Sequence, residues 1–239
     1  MRNRLVLLPG WGLGNAPLEP LAAALRGLDE RLQVQIDALP AMESSDPADW
    51  LDELDARLPA DCWLGGWSLG GMLAAELAAR RGDRCCGLIT LASNCNFVAS
   101  SLWPDAMPAA DFAAFLQGCE QNPVATLKRF GLLCAQGAQD SRPLARQLAA
   151  GATAGDLYGL HVLAALDTRA ALQAFAGPQL HLFAGEDALV PAEAAGAVLA
   201  LLGDVEVGLI EGVSHAFVLE RPHEVAAAIQ GFLHEAGDD

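Results

Sequence analysis

Two hydrophobic rhythms alternate along the chain. Apolar runs at residues 4–9, 33–37, 62–67 and 87–92 are short, are bounded by Pro, Gly or charged residues, and predict strands. Between them, at 17–27, 47–58 and 69–81, apolar residues recur three and four apart and predict helices. The runs at 5–8 and 88–91 do not alternate with polar residues, which suits strands of a parallel sheet covered by helices on both faces. Repeated strand–helix units of this kind predict an open, mostly parallel α/β sandwich.

From residue 98 to 172 the strand signal disappears. Helical patterns at 111–119, 123–134, 143–150 and 156–166 follow one another directly, which reads as a helical lid inserted into a core made of 1–97 and 173–239. The strand–helix rhythm then resumes, with strands at 179–184 and 205–210 and helices at 192–202 and 222–234. The two ends of such an insertion should lie close together.

At 239 residues, with 53% apolar content and no internal repeat, the chain is long enough for one full core. Charged residues or glycines interrupt every apolar stretch well short of the ~18 residues a membrane span needs, so no membrane association is expected. Met1-Arg2-Asn3-Arg4 followed by Leu5-Val6-Leu7-Leu8 begins as a signal peptide would, yet the apolar run breaks after four residues at Pro9-Gly10 and reads better as a buried strand. Six cysteines, at 62, 85, 86, 95, 119 and 134, show no C-x-x-C spacing and no histidine pair in ligand register. Neither a metal site nor a disulfide framework is indicated, and reduced thiols in the cytoplasm fit best. A net charge of −16 argues against nucleic acid as a partner. That charge is unevenly spread: 98–172 carries five basic against six acidic residues, the remainder nine against 24. The lid alone would not strongly repel an acidic partner, and Arg142 and Arg146, four apart, share one helix face.

The chemistry enters at Gly66-Trp67-Ser68-Leu69-Gly70. This Gly-x-Ser-x-Gly lies between a strand signal and a helical pattern, where a serine sits on a sharp, strained turn that leaves no room for side chains two residues before and after it. Among 24 glycines the motif alone is weak, so its partners decide. A serine hydroxyl needs a base within hydrogen-bond reach and a third group to fix that base's tautomer. Asp187 follows the strand at 179–184, at the sheet's carboxyl end; it is preferred over Glu186 because a shorter side chain before Val190-Pro191 suits a rigid orienter. His215 lies in the loop after the strand at 205–210. His181 reads as a core residue, His223 and His234 as helix ends, and His161 as a weaker pocket candidate. Backbone N–H groups of Leu69 and of Trp11, within Pro9-Gly10-Trp11-Gly12, are the expected oxyanion donors. Together these residues predict a serine hydrolase.

On these motifs the chain resembles the α/β-hydrolase superfamily over nearly its full length. Within it the chain is most similar to the pimeloyl-[acyl-carrier protein] methyl ester esterases of biotin synthesis, the BioH type. The resemblance implies an α/β-hydrolase fold and a hydrolase without cofactor that cleaves the methyl ester of a pimeloyl chain, held on an acidic acyl carrier protein, and releases methanol. It further implies that Trp11, Ser68, Leu69 and His215 contact substrate, that Phe130, Gly131, Leu132, Leu133 and Cys134 wall the acyl channel, and that Arg129, Arg142 and Arg146 contact the carrier. Gly131, Leu132 and Cys134 depart from the family pattern, as do Pro9, where His is usual, and Met42-Glu43-Ser44-Ser45, where a Gly-rich turn is common. None of these removes a catalytic group. A monomer is expected. The alternatives are a general short-chain carboxylesterase, a lyase or synthase of the same fold, and a non-catalytic receptor, which would have no need to keep nucleophile, base, orienter and oxyanion glycines together.

Overall fold

A computed structural model describes residues 3–152 and 157–238. The elements run β1 (Arg4–Leu8), α1 (Glu19–Leu28), β2 (Gln33–Ile36), α2 (Pro47–Arg57), β3 (Cys62–Trp67), α3 (Leu69–Arg81) and β4 (Cys85–Leu91). There follow α4 (Ala109–Gln121), α5 (Pro123–Cys134), α6 (Ser141–Gly151), α7 (Leu157–Ala165) and α8 (Arg169–Ala174). The chain closes with β5 (Gln179–Ala184), α9 (Glu193–Leu202), β6 (Glu206–Ile210), α10 (Phe217–Glu220) and α11 (Pro222–Asp238).

The strands form one sheet in the order β2-β1-β3-β4-β5-β6, and every neighbouring pair is parallel. The mostly parallel sheet expected is thus wholly parallel among the described residues. Parallel strands cannot be joined by tight turns, so each crossover carries at least one helix. Strands β3 and β5 are buried at every position, whereas the edge strands β2 and β6 are partly exposed. Two helical groups supply the cover: α1 packs on α11, while α3 packs on β3, β4, α2 and α8, with α9 beside α8. Trp50, Trp63, Trp67, Phe183 and Phe217 fill the core between them. Local caps fix two of the helix starts. Asp46 accepts the N–H of Ala48 at 2.9 Å ahead of α2, and Asn122 accepts that of Ala125 at 3.1 Å ahead of α5, each followed by a proline whose missing N–H is not needed there.

The strand order reverses at β1: the chain leaves it for β2 on one side and returns as β3 on the other. Loops that follow adjacent strands at such a switch point part from each other and open a crevice at the sheet's carboxyl end. The loop from Pro9 to Gly12 and the turn at Ser68 flank that crevice. Between β4 and β5 the chain makes its long helical excursion, whose two ends meet where Asn96 bridges Asp167 and the N–H of Thr168 donates to Cys95 O at 2.9 Å.

Element bounds differ from the sequence expectation where pairing or brevity decides. β4 starts at Cys85 rather than 87, because Cys85 pairs with Cys62 across a register irregularity. α11 runs past His234 to Asp238. α8 and α10 span six and four residues, too few to show a period; residue 172, the expected lid end, falls inside α8. Asp156, the first residue of one predicted helix, lies outside the described residues. No described helix is long and apolar enough to cross a membrane.

Candidate active site

Ser68 stands between β3 and α3 with φ 56° and ψ −122°, a strained backbone for a residue with a side chain. Such a conformation costs ~1–3 kcal/mol and persists only where its surroundings over-determine it. They do: Ser68 N–H donates to Leu91 O at 2.8 Å, and Ser68 O accepts from Ser93 Oγ at 2.7 Å, Gly71 N–H at 3.0 Å and Met72 N–H at 3.3 Å. The flanking glycines are steric necessities. A Cβ on Gly66 would lie 2.2 Å from the carbonyl carbon of Gly70, and one on Gly70 would lie 2.3 Å from Leu8 O.

His215 and Asp187 come from the loops after β6 and β5. His215 Nδ1 and Asp187 Oδ2 are 2.7 Å apart, and both side chains are 1% exposed. A carboxylate can only accept, so the proton sits on Nδ1. Asp187 Oδ1 is occupied by the N–H groups of Leu189 and Val190, at 2.8 and 3.0 Å, which hold the carboxylate from behind. Glu186 forms no bond to His215; its backbone N–H donates to Val213 O at 3.0 Å and stitches the acid and base loops together. Trp67, next to the serine, donates Nε1–H to His215 O at 2.9 Å, and its ring lies 5.5 Å from the imidazole. The imidazole therefore sits beside the elbow. Its Nε2 is buried and has no hydrogen-bond partner among the described residues, a lone pair available to a hydroxyl proton. Trp67 was not legible as a site residue, since nothing in the sequence links it to a position 148 residues away.

Leu69 opens α3, where helix geometry offers its N–H no partner and the helix dipole favours negative charge. Trp11 is 3% exposed, and its ring meets Phe115 and Phe130 edge-on at 5.7 and 5.1 Å. With Ser68, Phe97 and Leu133 these rings line a cavity of about 750 Å³, within the size range of small-molecule sites.

The stretch 130–134 divides by helical geometry. Phe130 and Leu133, three apart, face the cavity. Gly131 lies against α6, Leu132 is 57% exposed, and Cys134 is fully buried with its carbonyl accepting the N–H of Ala216 at 3.2 Å. A contiguous run on a helix cannot present every residue to one space, so the expected five-residue wall is corrected to two. Burial pushes the Cys134 thiol well above its ordinary range, with the charge of Asp187 adding to it. His161 is exposed rather than pocket-lining, and His181 is buried on Thr90, as a core histidine would be. Arg129 reaches the cavity's mouth, and Arg142 and Arg146 are exposed on α6. Among the described residues no group of three or more His, Cys, Asp or Glu side chains is placed to hold a metal ion.

The model of the alpha/beta hydrolase family matches residues 5–228. The biotin biosynthesis bifunctional protein BioHC of Cellvibrio japonicus (strain Ueda107) is 38% identical over 241 residues, which cover 97% of this chain and 47% of that protein. The chain thus spans about half the length of that relative. The pimeloyl-[acyl-carrier protein] methyl ester esterase of Aromatoleum aromaticum is 32% identical over 247 residues, covering 96% of this chain and 97% of its own. Of solved structures, a bromoperoxidase from Bacillus anthracis superposes with a TM-score of 0.81 at 20% identity, over 98% of this chain and 92% of that one. The esterase EaEST from Exiguobacterium antarcticum gives 0.81 at 18%, over 97% and 92%. At such identities the structural likeness speaks for the fold.

Proposed function

This chain belongs to the alpha/beta hydrolase family, and on that premise we propose that it is a serine carboxylesterase cleaving the methyl ester of a pimeloyl chain carried on an acyl carrier protein. The observation that carries the proposal is the buried His215–Asp187 pair beside the Ser68 elbow, with Nε2 of His215 unpartnered among the described residues. Ser68 Oγ attacks the ester carbonyl as His215 Nε2 takes its proton. Backbone N–H groups of Leu69 and Trp11 stabilise the charge that develops on the carbonyl oxygen, each contributing about 3 kcal/mol. Collapse breaks the bond to the methoxy group, which leaves as methanol with the proton from His215. Water, deprotonated by the same imidazole, then attacks the acyl-enzyme and releases the free carboxylate. Asp187 holds Nδ1–H throughout and stabilises the imidazolium.

The substrate's carrier is supported by charge. Arg31, Arg57, Arg80, Arg81, Arg169 and Arg221 each pair with a carboxylate, whereas Arg129, Arg142 and Arg146 form no ion pair among the described residues. Exposed, unpaired arginines on 98–172, in a protein of net charge −16, suit the carboxylates of an acidic partner. That segment is the proposed lid, its apolar side walling the acyl chain. The Aromatoleum relative bears the matching name. A cytoplasmic monomer with six reduced cysteines completes the proposal.

Ser68→Ala should abolish hydrolysis of both p-nitrophenyl butyrate and carrier-bound pimeloyl methyl ester; retained turnover would remove Ser68 from its role. Reversing Arg129, Arg142 and Arg146 to Glu should lower kcat/KM on the carrier-bound ester at least about tenfold while sparing the small ester, and added salt should weaken only the former. Equal losses on both substrates would overturn the carrier assignment.

A further inference from the structure

We infer that Glu220 is a positioning residue for His215, acting through Ser214. Three successive residues, 214 to 216, are each tied to a different part of the fold. Ser214 is bound to Glu220 at the end of α10, His215 O accepts from Trp67 at the end of β3, and Ala216 N–H donates to Cys134 O at the end of α5. The first tie is the one made by a charge. Ser214 is fully buried, and its N–H and O–H both donate to the same carboxylate oxygen, Glu220 Oε1, at 2.8 and 2.5 Å. Ser214 Oγ in turn accepts the N–H of Ala216 at 3.2 Å. Hydrogen bonds to an ionised acceptor are about twice as strong as neutral ones, and Glu220 forms no ion pair among the described residues that would divert its charge.

Among the described residues the imidazole itself has one hydrogen-bonding partner, Asp187, on Nδ1, and none on Nε2. The direction in which Nε2 points is therefore set by that one bond together with the place of the 215 backbone. Glu220 closes the loop on one side of that backbone, from a position five residues further along the chain. A misplacement of about 1 Å at a reacting group is enough to cost ~10²-fold in rate. Glu220 touches neither substrate nor the reacting atoms.

The inference rests on the Ser68–His215–Asp187 mechanism, and the experiment separates the two. Native protein, Glu220→Ala, Glu220→Gln and Ser214→Ala are compared by kcat and KM on p-nitrophenyl butyrate per active site counted by burst titration, by the rate of fluorophosphonate labelling of Ser68, and by thermal melting. Glu220→Ala should lose about 10- to 100-fold in kcat, with KM within about twofold and labelling slowed in parallel. Glu220→Gln should keep most of the activity, because both bonds end on one oxygen that an amide carbonyl can replace. Ser214→Ala, which keeps its N–H bond, should lose less than Glu220→Ala, and it decides the matter if Glu220→Ala does not fold. A lowered melting temperature with kcat and labelling rate per site unchanged would assign Glu220 to stability alone and overturn the inference. If Ser68 of the native protein does not label, the mechanism falls and this inference with it; if native and Glu220→Ala label equally fast, the inference alone falls.

Discussion

Replacing Asp187 by Asn probes the triad at the atom where it is most specific. The carboxylate uses its two oxygens differently: Oδ1 accepts from the N–H groups of Leu189 and Val190 at 2.8 and 3.0 Å, while Oδ2 faces His215 Nδ1 at 2.7 Å. An asparagine keeps the shape and loses the symmetry. Its carbonyl oxygen must take the Oδ1 place, since an amide nitrogen there would set donor against two donors. The amide nitrogen is then forced toward His215 and donates, so Nδ1 becomes the acceptor and the ring proton moves to Nε2. A protonated Nε2 cannot take the proton of Ser68. Because the turn keeps both of its hydrogen bonds, the melting temperature should barely move. The expected fall in kcat on p-nitrophenyl butyrate at pH 7 is ~10⁴-fold, the loss typical of a triad carboxylate turned into an amide, or about 5.5 kcal/mol of transition-state stabilisation. Steady-state kinetics with counted active sites and a thermal melt suffice to measure it. A loss under tenfold in a normally folded variant would refute Asp187 as the orienter. Glu186→Gln serves as the control and should cost less than about threefold, because Glu186 is exposed and makes no bond to the imidazole.

Two further outcomes concern stability. Burial holds the His181 imidazole down to about 4, against an ordinary 6.5. An unfolded chain therefore takes up a proton below pH 6.5 that the folded chain refuses until about pH 4. Stability from this group is complete above pH 6.5 and is lost as pH falls toward 4, by about 3 kcal/mol in all. Asp55 and Asp167, held below the ordinary carboxylate range by hydrogen bonds from Arg81 and Arg169, add losses of the same sign at lower pH. Denaturant titrations between pH 7 and 4.5 should show a shallower decline for His181→Gln, and identical slopes would refute the linkage. Gly66→Ala should yield inactive or insoluble protein, since its Cβ would meet backbone at 2.2 Å, whereas Gly231→Ala, mid-helix in α11 with open space around it, should stabilise by about 0.5–1 kcal/mol. Parallel denaturation curves for the two variants check both.

What was legible in the sequence follows the range of the constraint that produced it. The elbow could be read because its rule is local: a strained serine needs bare backbone two residues either side, and Gly66 and Gly70 stand there. Asp187 and His215 could be read from chain order and from strands that end just before them, since a parallel sheet delivers every carboxyl end to the same rim. The resemblance implies a wall over the whole of 130–134, but a position-by-position likeness carries no helical phase, and the helix turns Gly131, Leu132 and Cys134 away from the cavity. What stayed hidden are contacts between distant residues whose types are common. Trp67 and His215 are 148 positions apart, and Thr90 and His181 are 91 apart; nothing in the type of an indole or a hydroxyl says which of many acceptors it meets.

Glu220 marks the boundary between these cases. It lies six residues after Ser214, too far for a capping box, whose serine and glutamate are three apart, so its pairing has no period to betray it. The link needs α10 to turn the chain back, and α10 is a four-residue helix that carries no hydrophobic stripe. The nucleophile's geometry is thus encoded next to the nucleophile, whereas the base depends on three ties drawn from α10, β3 and α5. One of those, Cys134 O to Ala216 N–H, comes from the same helix that holds Arg129 at the cavity mouth. Substitutions along α5 can therefore reach the base without touching it, and a kinetic defect in an α5 variant should be assigned to carrier binding only after turnover of a small ester has been shown intact.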